Sequence, residues 1–507
     1  MNMEPTIIKS GRSTLLLFAA AILLGFISVL LFYENNPGLN VPIFAVAIIA
    51  TVIFIARSET RTIVKSEYIL LTLAFLFSTM VFVRESPLLS FFNIVGSFLL
   101  FLLVAVSFTG KKISWYALED FVKVVFTPLF FLKPFFDAIA SLPIFTGKSR
   151  DDVKRKEIIR GVVFAGIVVV VFSFLFASAD LVFRGFVENI FSFEIDPTLI
   201  QRGIMWAFVG AFFLGAFGYA FRTTNLENGE GKGGLNRFFG ALEMKIVLGS
   251  MAVLFLGFII LQLTYLFGGE SQLLSSGFTY AEYARRGFFE LVLVAVLSAL
   301  IILFTERCVV QKESQHLDSF KLLSGGIVLL VVLILASAFF RLSLYEAAYG
   351  FSTIRLYSYA FMIWIGVALV LLASHIFSGD KPQKFAIRVF ASVVLLLFVM
   401  NVINPDAFIA RQNIARFEET GKLDMSYLVS LSNDALPVTI QLLKHTDPLV
   451  RESFKSHLSC KLFWQNQYSS KWPETTLSGL KANMLLTPIA PKEESCLGLS
   501  WSEVDII

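Results

Sequence analysis

The sequence has few of the residues that build metal sites and covalent active sites. Its 507 residues include only three cysteines and four histidines, and none has the spacing of a CxxC or HExxH motif. The Walker A loop, the GxSxG elbow, SxxK and the Rossmann glycine fingerprint do not occur in a suitable context. We therefore predict no metal, no cofactor and no catalytic residue, and a non-enzymatic protein is favoured over an enzyme.

Charge is scarce as well. Only 16% of the residues are charged, against 56% that are hydrophobic, which leaves too little polar surface to cover a soluble core of this size. The 42 basic and 38 acidic residues nearly balance, so the composition indicates no nucleic-acid partner. Phenylalanine is abundant, with 55 residues, in apolar runs of about twenty residues that would cross a bilayer as helices. The composition predicts an all-α, polytopic membrane protein in contact with lipid.

The apolar runs predict about eleven transmembrane helices. The first run is longer than the apolar part of a signal peptide and lacks an Ala-x-Ala cleavage pattern, so we interpret it as an uncleaved span. The predicted spans are 14–33, 39–56, 68–83, 88–109, 158–178, 199–221, 245–267, 287–305, 319–340, 354–376 and 385–403.

Basic residues between the spans predict the orientation. Lysine and arginine are retained on the cytoplasmic side of a membrane, and here they follow the even-numbered spans, as Arg57 and Arg61 follow span two and Lys111 and Lys112 follow span four. The N-terminus is therefore predicted in the cytoplasm. With an odd number of spans, the C-terminus is predicted to be extracytoplasmic.

Residues 1–403 are predicted to form a transmembrane domain with two additional interfacial segments. One lies near 113–146, where prolines and lysines interrupt an apolar stretch, and the other lies near 181–195. In the first of these segments, Trp115 and Tyr116 are expected at the level of the lipid headgroups.

Residues 404–507 have the composition of a small soluble domain, predicted to be mainly helical and outside the membrane. Asn404 is a candidate N-cap for its first helix, and Gly421 stands where a C-terminal cap belongs. Past Pro473 the chain is expected to be irregular.

Three segments carry a family resemblance. They are Tyr280–Glu290 (YAEYARRGFFE), Leu344–Trp364 (beginning LYEAAYGF) and Asn404–Pro437 (beginning NPDA and ending DALP). Through them the chain resembles DUF4173, a family of bacterial multi-pass membrane proteins with a domain of unknown function. The resemblance implies a bacterial membrane protein, which we expect in the cytoplasmic (inner) membrane. It brings no established activity.

In the predicted topology the three segments meet on the outer side of the membrane. Their arginines could bind a phosphate or carboxylate and their tyrosines could stack on it, so an anionic or lipid-linked small molecule would suit the site. The candidate substrate-binding residues are Glu282, Arg285, Arg286, Glu290, Arg341, Glu346, Arg355 and Tyr357.

A structural interpretation of the same residues stays open. Glu282, Arg286 and Glu290 stand at i, i+4 and i+8 and could neutralise one another on one helix face. Arg341, Glu346 and Arg355 could be interface residues whose charged ends reach toward water.

Two other patterns concern packing and covalent linkage. Ala207, Ala211 and Gly215 repeat every four residues in span six, which predicts close helix packing and a possible homo-oligomer contact. Cys460 and Cys496 both fall in the predicted outer domain, where an oxidising compartment would permit a disulfide.

Three functions fit these patterns. The first is a transporter or carrier that uses the Arg/Glu/Tyr cluster, with Glu290 in a proton-coupled step, although the sequence shows no inverted repeat. The second is a non-catalytic sensor or scaffold whose C-terminal domain binds an envelope partner. The third is a transferase acting on a lipid-linked donor, whose base would have to be Glu282, Glu290, Glu346 or Asp406.

Overall fold

The structure of the chain is a computed structural model. It describes residues 11–141, 197–223, 240–267, 288–309, 314–467 and 472–486, with a few isolated positions between 161 and 180. Every regular element in these ranges is helical, which confirms the predicted all-α class. The α-helices are α1 (Gly11–Phe32), α2 (Asn40–Ser58), α3 (Lys65–Val83), α4 (Pro87–Phe108), α5 (Leu118–Val124), α6 (Leu132–Ala140), α7 (Pro197–Arg222), α8 (Ala241–Phe267), α9 (Phe288–Val309), α10 (Ser314–Tyr349), α11 (Thr353–Ser378), α12 (Pro382–Ile403), α13 (Pro405–Thr420), α14 (Met425–Ser430), α15 (Leu436–Thr439), α16 (Pro448–Gln467) and α17 (Leu477–Leu486).

Ten helices among the described residues are long and apolar enough to cross a bilayer, namely α1 to α4 and α7 to α12. They coincide with ten of the eleven predicted spans, and α10 continues to Tyr349, beyond the predicted end at 340. The remaining predicted span, 158–178, falls almost wholly outside the described residues. The protein is therefore a multi-pass integral membrane protein whose exposed apolar side chains contact lipid.

The bundle contains two apolar cores. The N-terminal core joins α1 to α4 with α7, around residues such as Leu24, Ile55 and Phe77. The C-terminal core joins α8 to α12. Helix α12 also packs on the N-terminal core through Phe390 and Leu397, so it links the two halves of the bundle.

Glycines allow α7 to approach its neighbours closely. A Cβ on Gly25 of α1 would come within 2.7 Å of the Trp206 backbone oxygen, and a Cβ on Gly215 would come within 2.6 Å of the Phe131 oxygen. The Gly215 end of the predicted small-residue stripe thus faces the same chain. The homo-oligomer contact stays a prediction.

The stretch that follows α4 is made of short helices. Helices α5 and α6 alternate with 3-10 turns at Ile113–Trp115 and Thr127–Phe131. Trp115 is half exposed and Tyr116 is fully buried; their place at the level of the headgroups stays a prediction. The Tyr116 ring packs edge to face on Phe121, which stacks on Phe390 of α12. The segment 181–195 lies outside the described residues.

Helices α13 to α17 pack around a third apolar core that includes Ile409 and Phe454. Asn404 turns the chain out of α12 with a left-handed backbone (φ 58°) and accepts a hydrogen bond from the Ala407 amide, while Gly421 (φ 71°) ends α13, as the sequence predicts. Helix α17 corrects the expectation of irregular chain past Pro473. We call residues 404–467 and 472–486 the cap.

The cap distinguishes the two ends of the bundle. Because α1 to α4 run in alternating directions, the loops 33–39 and 84–86 lie at one end; both contact the cap, as does the loop 350–352. We call this the capped end. The open end carries the ion pairs Arg61–Glu67, Arg307–Glu119 and Lys384–Asp380.

Candidate functional site

The structure describes five of the eight residues predicted to bind a substrate. Glu282, Arg285 and Arg286 lie outside the described residues, and Glu290 is exposed on the first turn of α9. Glu346 and Arg355 meet at the turn between α10 and α11, whereas Arg341 lies two turns before the end of α10. Tyr357 packs its ring against Phe92 of α4, with 6.0 Å between centroids. Their role in binding stays a prediction.

Arg355 makes contacts within the α10–α11 turn. Its guanidinium lies 4.2 Å from the ring centroid of Tyr345 and 5.9 Å from that of Tyr349, and it donates a hydrogen bond to the Gly350 carbonyl. Gly350 has a left-handed backbone with φ 78°, which glycine adopts at little cost. Arg355 therefore holds this turn by cation–π and hydrogen-bonding interactions.

Helix α13 of the cap holds the same turn from above. The Asn413 side chain accepts a hydrogen bond from the Phe351 amide (2.8 Å) and donates one to the Phe351 carbonyl (2.9 Å). Arg416 donates to the carbonyls of Ala347 and Ala348 at the end of α10, where a cation is favoured by the helix dipole. We call these contacts the turn clamp.

A second clamp joins the cap to the loop between α3 and α4. The buried carboxylate of Asp434 accepts hydrogen bonds from the backbone amides of Glu85 (2.7 Å) and Ser86 (3.1 Å) and from the Ser478 hydroxyl. Ser86 is the N-cap of α4, and its own side chain makes no capping hydrogen bond. Asp434 thus supplies a negative charge at the start of α4 from a distant part of the chain. We call this the loop clamp.

The loop clamp extends into the bundle through Arg84. The Arg84 guanidinium donates two hydrogen bonds to the carbonyl of Asn401, at 3.0 and 2.8 Å, and lies 3.7 Å from Asp434. Asn401 on α12 and Asn93 on α4, both buried, exchange side-chain hydrogen bonds at 2.7 and 2.9 Å. Polar groups are satisfied here by one another, as a helix interface in lipid requires.

Glu85 and Lys461 are two partly buried charged residues at the loop clamp, and their hydrogen bonds and opposite charges offset only part of the cost of burial. Glu85 accepts hydrogen bonds from Asn433 and Thr476, yet burial raises the pKa of its carboxyl above the ordinary value. Lys461 donates to the carbonyls of Val429 and Leu431. Burial lowers the pKa of its ammonium, although nearby carboxylates oppose the shift.

Few features of the sequence indicate the loop clamp. Asp406 and Asp434 stand in segments that carried the family resemblance, and Asp406 accepts hydrogen bonds from the Ser86 hydroxyl and the Ser432 amide. Nothing in the sequence pattern distinguishes Arg84, Glu85 and Lys461 from other charged residues next to apolar segments. Within the described residues, no group of three or more His, Cys, Asp or Glu side chains could hold a metal ion.

Cys460 is buried in the cap and disulfide-bonded. The side chain of Cys308 and the whole of Cys496 lie outside what the structure describes. The pairing of Cys460 with Cys496 stays a prediction.

Comparison with known proteins gives a family and no function. A family model described as "Domain of unknown function (DUF4153)" matches residues 71–442, which is more than half of the chain. The matching family is thus DUF4153 and not DUF4173, the family that the sequence resemblance suggested. Both are defined by a domain of unknown function. No curated protein and no solved structure matches the chain. The matched region includes Asp434, Asn413 and both loops that these residues hold.

Proposed function

The chain belongs to the DUF4153 family, a family defined by a domain of unknown function, and we propose that it is a non-catalytic membrane sensor or scaffold whose cap couples the two halves of the bundle. The observation that carries this proposal is the pair of clamps. The loop clamp holds the α3–α4 hairpin of the N-terminal core, and the turn clamp holds the α10–α11 hairpin of the C-terminal core.

The chemistry of the clamps supports a coupling role over a catalytic one. Asp434 and Asn413 use their polar atoms on backbone groups of the same chain. An envelope partner that changed how the cap is seated would move both hairpins together, since a ligand shifts any equilibrium in which it favours one state. Such a cap would report binding on one side of the membrane to helices that cross it.

Hydrogen exchange measured by mass spectrometry tests the coupling directly. We expect Asp434→Asn to raise exchange at Glu85 and Ser86, and also at Phe351 in the other clamp. Asn413→Ala should raise exchange at Phe351 in its own clamp and also at Glu85 and Ser86 in the loop clamp. Coupling energies between linked sites are typically about 0.5–2 kcal/mol, which corresponds to exchange several-fold faster at the distant clamp.

The control variant is Asp447→Asn, because Asp447 is exposed and its carboxylate accepts a hydrogen bond from the Leu449 amide in its own turn. It should leave both clamps unchanged. If each clamp variant speeds exchange at its own clamp alone, the two halves are not coupled through the cap and the proposal fails.

A carrier for an anionic or lipid-linked molecule is the second candidate. It is favoured by the meeting of Glu346, Arg355 and Arg416 at the capped end, where Tyr359 donates to Glu346 at 3.5 Å. Native mass spectrometry of wild type and a Glu346→Gln, Arg355→Ala variant separates the two functions. A discrete anionic molecule lost from the variant supports the carrier, and bulk phospholipid on both forms contradicts it.

Placement of the cap outside the cytoplasm, in a bacterial inner membrane, is part of the same proposal. The open end carries the basic residues that the positive-inside rule assigns to the cytoplasm, namely Arg57, Arg61, Lys65, Lys111, Lys112, Arg222, Arg307, Lys381 and Lys384. The disulfide at Cys460 suits an oxidising compartment on the other side.

A further inference from the structure

Helix α17 of the cap has an apolar face that the described part of the chain leaves open. In α17, Ser478, Ala482 and Leu486 are buried, while Leu480, Met484 and Leu485 are 42%, 77% and 36% exposed. Leu480 and Met484 stand four residues apart, so they share one helix face, on the side opposite Ala482. Trp472, in the 3-10 turn just before α17, is 65% exposed.

Hydrogen bonds fix the level of this segment relative to the spans. The Leu39 amide, directly before α2, donates to the Thr475 carbonyl at 3.0 Å. The Ser478 hydroxyl donates to the carbonyl of Val83, the last residue of α3, at 3.0 Å. The segment 472–486 therefore starts at the height where two transmembrane helices end, which is the headgroup region of the bilayer.

The buried face of α17 contacts both the end of α3 and Asp434 of the cap. The open face consequently points away from both, toward the surroundings of the bundle. At this height the surroundings are the headgroups and the first part of the acyl chains; α2, which begins beside Thr475, exposes Ile43 and Val46 within its first two turns. A tryptophan and an exposed lysine, Lys481, complete the composition typical of an interfacial segment.

We propose that residues 472–486 form an interfacial membrane anchor, in which Trp472, Leu480 and Met484 insert among the phospholipids around the bundle. The anchor binds a lipid surface through apolar burial, and Lys481 lies where it reaches lipid phosphates. It attaches the cap to the membrane itself, next to the loop clamp, to which Ser478 of the same helix contributes a hydrogen bond.

Photo-crosslinking in nanodiscs of phosphatidylcholine and phosphatidylglycerol tests the anchor. p-Benzoylphenylalanine replaces Met484 in the full chain, and in a matched variant it replaces Leu449, which is 80% exposed at the start of α16 within the cap. We expect several-fold more phospholipid adduct, read by mass spectrometry, at position 484 than at 449. Equal yields at the two positions would overturn the proposal, as would an adduct from 484 to a second copy of the chain.

Tryptophan fluorescence gives a second measurement on a conservative variant. Lipids brominated close to the headgroup should quench the tryptophan fluorescence of the wild type by a larger fraction than that of Trp472→Phe. The reason is that the substitution removes a tryptophan that lies among the brominated lipids. Identical quenching of the two proteins would place Trp472 in water and contradict the anchor.

Discussion

Asp434 shows how one residue can connect distant parts of a membrane protein. Its carboxylate replaces the capping side chain that the start of α4 lacks, and it accepts from two consecutive backbone amides. Hydrogen bonds to a charged group contribute about 1.5–3 kcal/mol each. Removing one partner of a buried hydrogen bond costs more than replacing both partners by apolar groups, because the remaining polar group is left without a partner. The residue therefore matters through the backbone groups it satisfies.

The raised pKa of Glu85 predicts that cap docking depends on pH. Since the docked state binds the Glu85 proton more tightly than an exposed carboxyl would, its contribution to stability is complete below the ordinary value of 4.5 and is lost as the pH rises through the raised pKa. We expect the thermal stability of wild type to fall over that window. Glu85→Gln, which cannot ionise, should lack this part of the pH dependence.

Lys461 provides an internal check on the pH experiment. Its pKa is lowered, so its contribution has the opposite sign and increases as the pH rises toward 10.5. Lys461→Met should keep the fall in stability that Glu85 causes but move it to higher pH, because the Lys461 charge lowers the Glu85 pKa. If wild type and Glu85→Gln have the same slope in the acidic range, Glu85 does not control docking.

The Asn93–Asn401 pair predicts a measurable coupling energy inside the membrane. Each amide donates to the other, and such pairs in membrane proteins contribute on average about 0.6 and up to about 1.7 kcal/mol. A double-mutant cycle with Asn93→Ala and Asn401→Ala, measured by unfolding in detergent, should give a coupling in this range. Additive effects of the two substitutions would show that the pair contributes no interaction energy.

At the scale of elements, the α10–α11 turn predicts an asymmetry between two glycines. Gly350 (φ 78°) and Gly379 (φ 64°) both have left-handed backbones, but only at Gly350 would a Cβ meet a neighbour, the Asn413 oxygen at 2.6 Å. Alanine in the left-handed region costs about 1–2 kcal/mol. We expect Gly379→Ala to lower thermal stability by that amount and Gly350→Ala to lower it further.

Hydrogen exchange at Phe351 distinguishes the cause of the Gly350 effect. Crowding against Asn413 should open the turn clamp, so exchange at Phe351 should rise in Gly350→Ala and stay unchanged in Gly379→Ala. Equal losses of stability, with Phe351 protected in both, would attribute the cost to backbone strain alone.

Sequence predicts the elements far better than their contacts. A span such as α4 is recognisable because its apolar run, its length and its N-terminal proline are local properties. The Asn404 and Gly421 caps of α13 are recognisable for the same reason. The loop clamp is not, because it pairs Glu85 with Asp434 across 349 positions, and no periodicity within one segment encodes such a pairing. Arg355 was a visible charge, but its use against Tyr345 depends on how two helices meet.

At the scale of the whole molecule, the cap closes one end of a bundle that is built from two cores. It holds a hairpin of each core, and α12 leads directly from the bundle into the cap at Asn404. Three routes thus connect the cap to the spans. If the cap couples the two cores as proposed, a change in how it sits on the bundle is expected to reach both hairpins.

The distribution of charge over the two ends predicts the side on which the cap lies. Lysines and arginines between the described spans are concentrated at the open end, which predicts that this end lies in the cytoplasm and the cap on the other side of the membrane. We expect Leu449→Cys to react with a membrane-impermeant maleimide in intact spheroplasts, and Ser378→Cys to react only after lysis, because Ser378 lies exposed at the open end of α11. The wild-type protein, treated with the same maleimide, gives the background labelling of the native cysteines. Labelling of Ser378→Cys alone before lysis would reverse the orientation, and the cap would then meet its partners in the cytoplasm.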